Sequence, residues 1–204
     1  MSFLQKVQAS YKIVANKISE QEFYEKNKID PEDMSYAGSG DFGEAYHVNG
    51  RILKKTTSAS EFKIAKEIMQ GNYPAFVEIY AVEEVDGKST HHSYYILQEE
   101  VEIDSDIEDS LVRLNSMLET QELPIQYMSH FDEDDYIESE GDEVIDGKID
   151  PELVEFMNEL DDIVSDYRRL GIEASDINAG NLGRNKKGKL VAFDIDEKGQ
   201  GHWS

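Results

Sequence analysis

The chain has 204 residues and a formal net charge of −24, from 44 acidic and 20 basic side chains, with 39% hydrophobic residues and no cysteine. That length and apolar content suit one compact domain or two small lobes, while the missing cysteines exclude a disulfide framework, a thiolate nucleophile and a zinc–thiolate centre. A field this negative opposes direct binding to nucleic acid or to anionic lipid through a general basic surface, and no signal-like leader or apolar run of membrane-spanning length occurs.

Leu4, Val7, Tyr11, Val14, Ile18 and Phe23 recur at helical spacing over residues 3–28 and predict one or two amphipathic N-terminal helices. Ile29-Asp30-Pro31-Glu32-Asp33 interrupts them. From Tyr36 to Thr56 the pattern predicts a β-meander. A short strand leads into Gly38-Ser39-Gly40-Asp41-Phe42-Gly43, a second strand runs from Glu44 to Val48, Asn49-Gly50 makes a tight turn, and Arg51 to Lys55 is the third strand. Ser58 or Ser60 caps a helix with Phe62, Ile64, Ala65, Ile68 and Met69 on one side, ending at Gly71. Strands Phe76 to Val85 and Ser93 to Gln98, joined at Asp86-Gly87, complete a β-β-β-α-β-β half.

The second half opens with a short helix carrying Ile107, Leu111, Leu114 and Leu118. Between Glu99 and Asp150 only Arg113 and Lys148 are basic. The weakly periodic part of this run, about 119–149, reads as an acidic insertion: a solvated surface, or a docking surface for a basic partner. Asp150 then caps a helix with Pro151 at its first position, and Leu153, Phe156, Met157, Leu160, Ile163, Val164, Tyr167 and Leu170 form its buried stripe up to Gly171. A polar loop and a hairpin follow, with a turn at Asn185–Gly188 and a strand through Leu190 to Phe193.

The chemistry lies at the two ends of this arrangement. Gly38-x-Gly40-x-x-Gly43 between two strands is a flap whose backbone can approach phosphates, not the strand-to-helix turn of a dinucleotide fold. Lys54 on the third strand can reach phosphate oxygens beneath the flap, while Lys55 points to the opposite face. Taken alone, the loop equally describes a plain hairpin turn, and the lysines a solvated edge pair. A carboxylate is needed to aim Lys54. Glu61 is preferred because Ile64, Ala65 and Ile68 follow it on adjoining helical faces, with Glu67 the alternative. Near the C-terminus Asp176 can accept or orient a hydroxyl proton, and Asn181 and Asp194 offer the oxygen ligands that Mg²⁺ prefers. Asp194-x-Asp196-x-x-Gly199 is not an EF-hand loop, because Lys198 occupies a ligand position.

Together these motifs resemble the protein-kinase-like superfamily over about residues 34–200. Gly38 to Ala45 resembles the glycine-rich loop, Ile52-Leu53-Lys54 the strand-three lysine motif, Ser175 to Asn181 the catalytic loop, and Phe193-Asp194-Ile195-Asp196 the metal-binding DFG segment. The resemblance implies an α+β, two-lobed fold. An antiparallel N-lobe sheet with a helix (34–99) would follow a helical extension (1–33) and precede a reduced helical C-lobe (100–204). It also implies Asp176 as catalytic base and Lys54 paired with Glu61. ATP would lie against Gly38, Gly40, Phe42, Gly43 and Lys54, with a hinge from Glu99 to Val101 and Leu97 as gatekeeper. Mg²⁺ would be held by Asn181 and Asp194. Ala174-Ser175 stand where His-Arg is usual, Asn178 where protein kinases carry lysine, and Asp196 where the DFG glycine would be. Asn178-Ala179-Gly180-Asn181 is closer to small-molecule and atypical kinases. With no activation segment after Asp194, the pattern is that of a minimal, C-terminally truncated kinase of the kind found in phages and mobile elements, acting in the cytoplasm.

Two functions compete, with an acidic inhibitor that mimics nucleic-acid charge as a third. The first is an ATP–Mg²⁺-dependent phosphotransferase acting on a protein Ser/Thr or on itself, since every chemical position carries a workable residue. The second is a pseudokinase-like acidic module that binds a host or partner protein without phosphoryl transfer.

Overall fold

The computed structural model describes residues 17–40, 42–86, 93–121, 144–145, 148–149, 151–172, 177 and 179–195. Its main sheet holds β1 (Ile18–Ser19), β2 (Ser35–Gly40), β3 (Gly43–Val48), β4 (Arg51–Thr56), β5 (Ile79–Asp86) and β6 (Ser93–Glu99), in the order β1-β5-β6-β4-β3-β2. Strands β2 to β6 pair antiparallel, and β1 lies parallel to β5. Asn49 and Gly50 take φ of 50° and 70°, the pair of left-handed residues that matches a two-residue turn to the twist of its strands. Gly43 is needed where β3 meets β4, because a Cβ there would stand 2.0 Å from the Lys55 carbonyl oxygen.

The sheet is covered on both faces. On one lies α1 (Glu20–Asn27), capped by Ser19, whose side chain accepts from the Glu22 N–H at 3.1 Å. It buries Phe23 completely against Val48, Leu53, Tyr95 and Leu97. Of the helical span expected over residues 3–28, Glu20–Asn27 is helix, whereas Ile18 is corrected to strand β1 beside β5; residues 1–16 lie outside the described residues. On the other face lies α2 (Ala59–Gln70), with Ala65 against Val82 and Ile96.

The second lobe is built on α3 (Ser105–Gln121) and α4 (Pro151–Leu170), with the hairpin β9 (Leu182–Arg184) and β10 (Leu190–Ala192) and the short pair β7 (Val144–Ile145) and β8 (Lys148–Ile149). The α4 stripe is buried as its periodicity requires, and the helix ends at Gly171, φ 72°. Most of the acidic segment, the Asp86-Gly87 turn beyond Asp86, and the Asp150 cap lie outside the described residues. The architecture is the α+β, two-lobed arrangement that the sequence implies, with an antiparallel sheet and its helices above a smaller helical lobe.

One expected strand is shorter than its apolar pattern suggested. β5 begins at Ile79, not Phe76. Residues 75–77 bond across to the other lobe: the Ala192 N–H donates to the Ala75 carbonyl at 2.9 Å and the Val77 N–H to the Ala192 carbonyl at 3.0 Å. Asp166, buried on α4, accepts the Ala75 N–H at 3.1 Å and the Arg169 guanidinium at 2.5 Å, and Arg169 also donates to the Asn72 carbonyl at 2.9 Å. Asp166→Ala should therefore cost about 1–3 kcal/mol, the penalty for stranding a buried N–H. Urea unfolding measures it, and a loss within the error of the extrapolation would show that this bond does not tie the lobes.

Candidate active site

Lys54 is placed by alternation along β4. Its neighbours Leu53 and Lys55 turn to the α1 face, and Lys54 turns toward α2 and the cleft between lobes. There its ammonium ion-pairs with both Glu61 on α2 and Asp194 just beyond β10. Burial by itself would lower the Lys54 pKa; the charges of Glu61 and Asp194, and their hydrogen bonds, outweigh that and raise it. The side chain therefore remains an ammonium ion.

Glu61 owes its position to the start of α2. Ser58 caps the helix and accepts the Glu61 N–H at 3.1 Å. In the Ser-x-x-Glu pattern the glutamate usually reaches back to the N–H of the capping residue. Here the Thr56 hydroxyl takes that N–H, at 3.1 Å, which releases the buried Glu61 carboxylate to Lys54. Glu67, the alternative partner, is exposed on the same helix.

Asp194 and Asn181 occupy the open end of one hairpin. Leu182 pairs with Ala192, and one step further out the Phe193 N–H donates to the Asn181 carbonyl at 2.9 Å. Asp194 holds φ at 56°, a left-handed conformation that Asp and Asn tolerate better than other side chains. Ile195 returns to the core beside Ile64 and Ile68 of α2, so the Asp194 bend is held from behind. Asp176 and Asp196 lie outside the described residues.

The flap is formed by β2 and β3. Thr57 holds its turn, donating through both its N–H, at 2.8 Å, and its hydroxyl, at 3.0 Å, to the Phe42 carbonyl. A Cβ on Gly38 or Gly40 would meet no neighbouring atom, and neither glycine adopts a positive φ. Gly38 lies at the irregularity in β2–β3 pairing that follows Tyr36, and at both positions the space beside the backbone is open.

The expected hinge lies where the lobes join. Glu99 ends β6, with its N–H on the Glu78 carbonyl at 2.8 Å. Val101 passes over β9, where a Cβ on Gly183 would come within 2.6 Å of its Cγ2. The expected gatekeeper is corrected. Leu97 pairs with Leu53 and is buried on the α1 face. The cleft-facing partners of β4 are Ile96, opposite Lys54, and Gln98, opposite Ile52. Gln98, almost wholly buried, lines a cavity of about 20 Å³ with Glu61, Ile68, Ile79 and Asp194.

Five antiparallel strands, a helix whose carboxylate meets the third-strand lysine, and a hairpin that returns an aspartate to that lysine now stand together. That is the two-lobed α+β arrangement that the sequence's resemblance to protein kinases implies. No protein-family model matches the sequence, and no curated protein matches it. Among solved structures the chain is similar to a crystal structure of Rad53 1-466 in complex with AMP-PNP, at 13% identity and a TM-score of 0.42, over 83% of this chain. The chain spans 40% of the length of that structure. Among the described residues no helix is long and apolar enough to cross a membrane.

Proposed function

We propose that the chain is an ATP–Mg²⁺-dependent phosphotransferase that transfers the terminal phosphoryl group to a hydroxyl of a protein Ser/Thr, or to itself. The observation that carries this reading is the convergence on one ammonium, Lys54, of carboxylates from α2 and from the end of β10, in a sheet whose β2–β3 hairpin bears Gly38 and Gly40 beside open space. Lys54 would hold phosphate oxygens, Glu61 would aim it, and the backbone of Glu99 to Val101 would meet the base. Among the described residues no three His, Asp or Glu side chains gather into a metal cage. Asp194 and Asn181 at one hairpin end are the sparse oxygen set that suits Mg²⁺ completed by nucleotide phosphates. When bound, the ion would neutralise charge on the transferring phosphoryl group.

Asp176, five residues before Asn181 in the chain, takes the role of orienting the acceptor hydroxyl and accepting its proton. The acceptor oxygen forms the new bond to the γ-phosphorus, the bond to the bridging oxygen breaks, and ADP leaves. The protein contributes position and electrostatics more than covalent chemistry.

Two measurements test this. Incubation with labelled ATP, Mg²⁺ and a protein extract should label the chain or a substrate, and ATP with Mg²⁺ should raise the melting temperature. Absence of both effects refutes the reading. Gly40→Ala sharpens it. The melting temperature should stay the same or rise, because the added methyl meets open space and restricts the unfolded chain, while the ATP-induced shift should shrink. An undiminished shift would mean the flap does not approach the nucleotide.

A further inference from the structure

The segment preceding the kinase-like region carries a polar cluster that the proposed chemistry does not use. On the face of β4 opposite the site, the Lys55 ammonium lies 2.8 Å from Glu20 Oε1 of α1. The same oxygen accepts the Tyr24 hydroxyl at 2.5 Å and the Tyr95 hydroxyl at 2.6 Å. The rings of Tyr24, Tyr46 and Tyr95 surround the ammonium, with centroids 5.5, 5.2 and 5.1 Å away. At the other end of the helix, the Arg51 guanidinium donates to the Asn27 carbonyl at 3.3 Å. Helix α1 therefore lies along β4 and is pinned to its first residue and to its fifth.

Holding α1 onto the sheet does not rest on these polar contacts alone, because Phe23 is wholly buried among Val48, Leu53 and Leu97. Apolar burial is non-directional and tolerates sliding. Three hydrogen bonds on one carboxylate oxygen do not: they fix where α1 stands along β4 and which way the strand is rotated. The cluster is well satisfied. Partial burial would raise the Glu20 pKa, but the bonds from Lys55, Tyr24 and Tyr95 hold it at about 2. Lys55 is the next residue after Lys54, so a rotation of β4 that frees one ammonium displaces the other.

We propose that α1 is a splint on β4, and that the Glu20–Lys55 clasp is a positioning device for the Lys54 ammonium. This rests on the phosphotransferase reading of the site. Small misplacements of a phosphate-holding group are costly, on the order of 10²-fold for about 1 Å. Glu20→Gln keeps the shape and removes the charge, and Lys55→Met keeps the stem and removes the ammonium. Each should lower kcat/KM for ATP by about tenfold, mostly in kcat, at a temperature where both variants are folded. The double variant should be no worse than Glu20→Gln alone, because one clasp is lost in all three. In parallel, hydrogen exchange at the β4 amides of residues 53–55 should quicken in Glu20→Gln. A lowered melting temperature with kcat/KM and β4 exchange both within twofold of wild type would overturn the proposal and leave Glu20 a merely structural residue. If the unaltered protein transfers no phosphate, the phosphotransferase reading fails by itself. The exchange arm then decides the splint: unchanged β4 exchange overturns it, and quickened exchange upholds it.

Discussion

Asp194→Asn is expected to reduce phosphate transfer from ATP–Mg²⁺ by about 10²–10³-fold, the range that follows loss of one preorganised charge from a reaction centre. The substitution is chosen for what it preserves. Asn has the same size, tolerates φ of 56°, and can still accept a hydrogen bond from Lys54. What it loses is the full negative charge that would share a cation with Asn181. The Asp194 side chain is 52% exposed, and its ion pair with Lys54 is correspondingly screened, so stability should change little. Labelled-ATP turnover of the two proteins, set beside their unfolding curves, separates the effects. A variant that transfers phosphate within twofold of wild type would remove Asp194 from the reaction centre. A variant that fails to fold would show that the bend depends on the charge, and Asp194→Gly, which relieves the positive φ, then supplies the folded comparison.

Much of this architecture was legible because local chemistry and global fold agree. Asn49-Gly50 announced a hairpin, Gly171 a helix end, and Ser58 a cap, and each has the backbone geometry its residue type favours. Glu61 was readable over Glu67 from periodicity, since Ile64, Ala65 and Ile68 follow it on adjoining faces of α2. That its carboxylate would leave the cap for Lys54 depends on Thr56 taking over the Ser58 N–H, a substitution of partners that helical periodicity does not reveal. Leu97 was misplaced by a different route. Alternation gives two faces to a strand but not which face is which, and only the pairing of Lys54 with Ile96 settles that Gln98, not Leu97, looks into the cleft. Phe76 to Glu78 read as strand because they are largely apolar, yet they serve the junction between lobes. The clasp on Lys55 is made by bonds between residues 35 and 75 positions apart in sequence, and no local pattern marks such a meeting.

Lys54→Met should produce the largest loss of stability at the site, about 3–5 kcal/mol, together with loss of transfer. The Glu61 side chain is only 8% exposed, and removing its partner leaves a charge in surroundings that include Ile64, Ala65, Ile68 and Ile96. An uncompensated buried charge costs far more than the intact pair contributes. The asymmetry yields a sharper expectation. Lys54→Met combined with Glu61→Leu removes both charges from the apolar pocket, and stability should return to within about 1 kcal/mol of wild type or exceed it. Phosphate transfer should not return, because the ammonium that would hold the phosphates is still missing. Equilibrium urea unfolding of the single and double variants reads the first effect, and labelled-ATP turnover reads the second. If the double variant is as unstable as the single, the cost of Lys54→Met lies in packing and not in a stranded carboxylate. Recovery of stability without recovery of transfer would separate two roles of the same pair: Glu61 makes a buried lysine tolerable, and the lysine is kept, at a cost in stability, for what it does to a ligand.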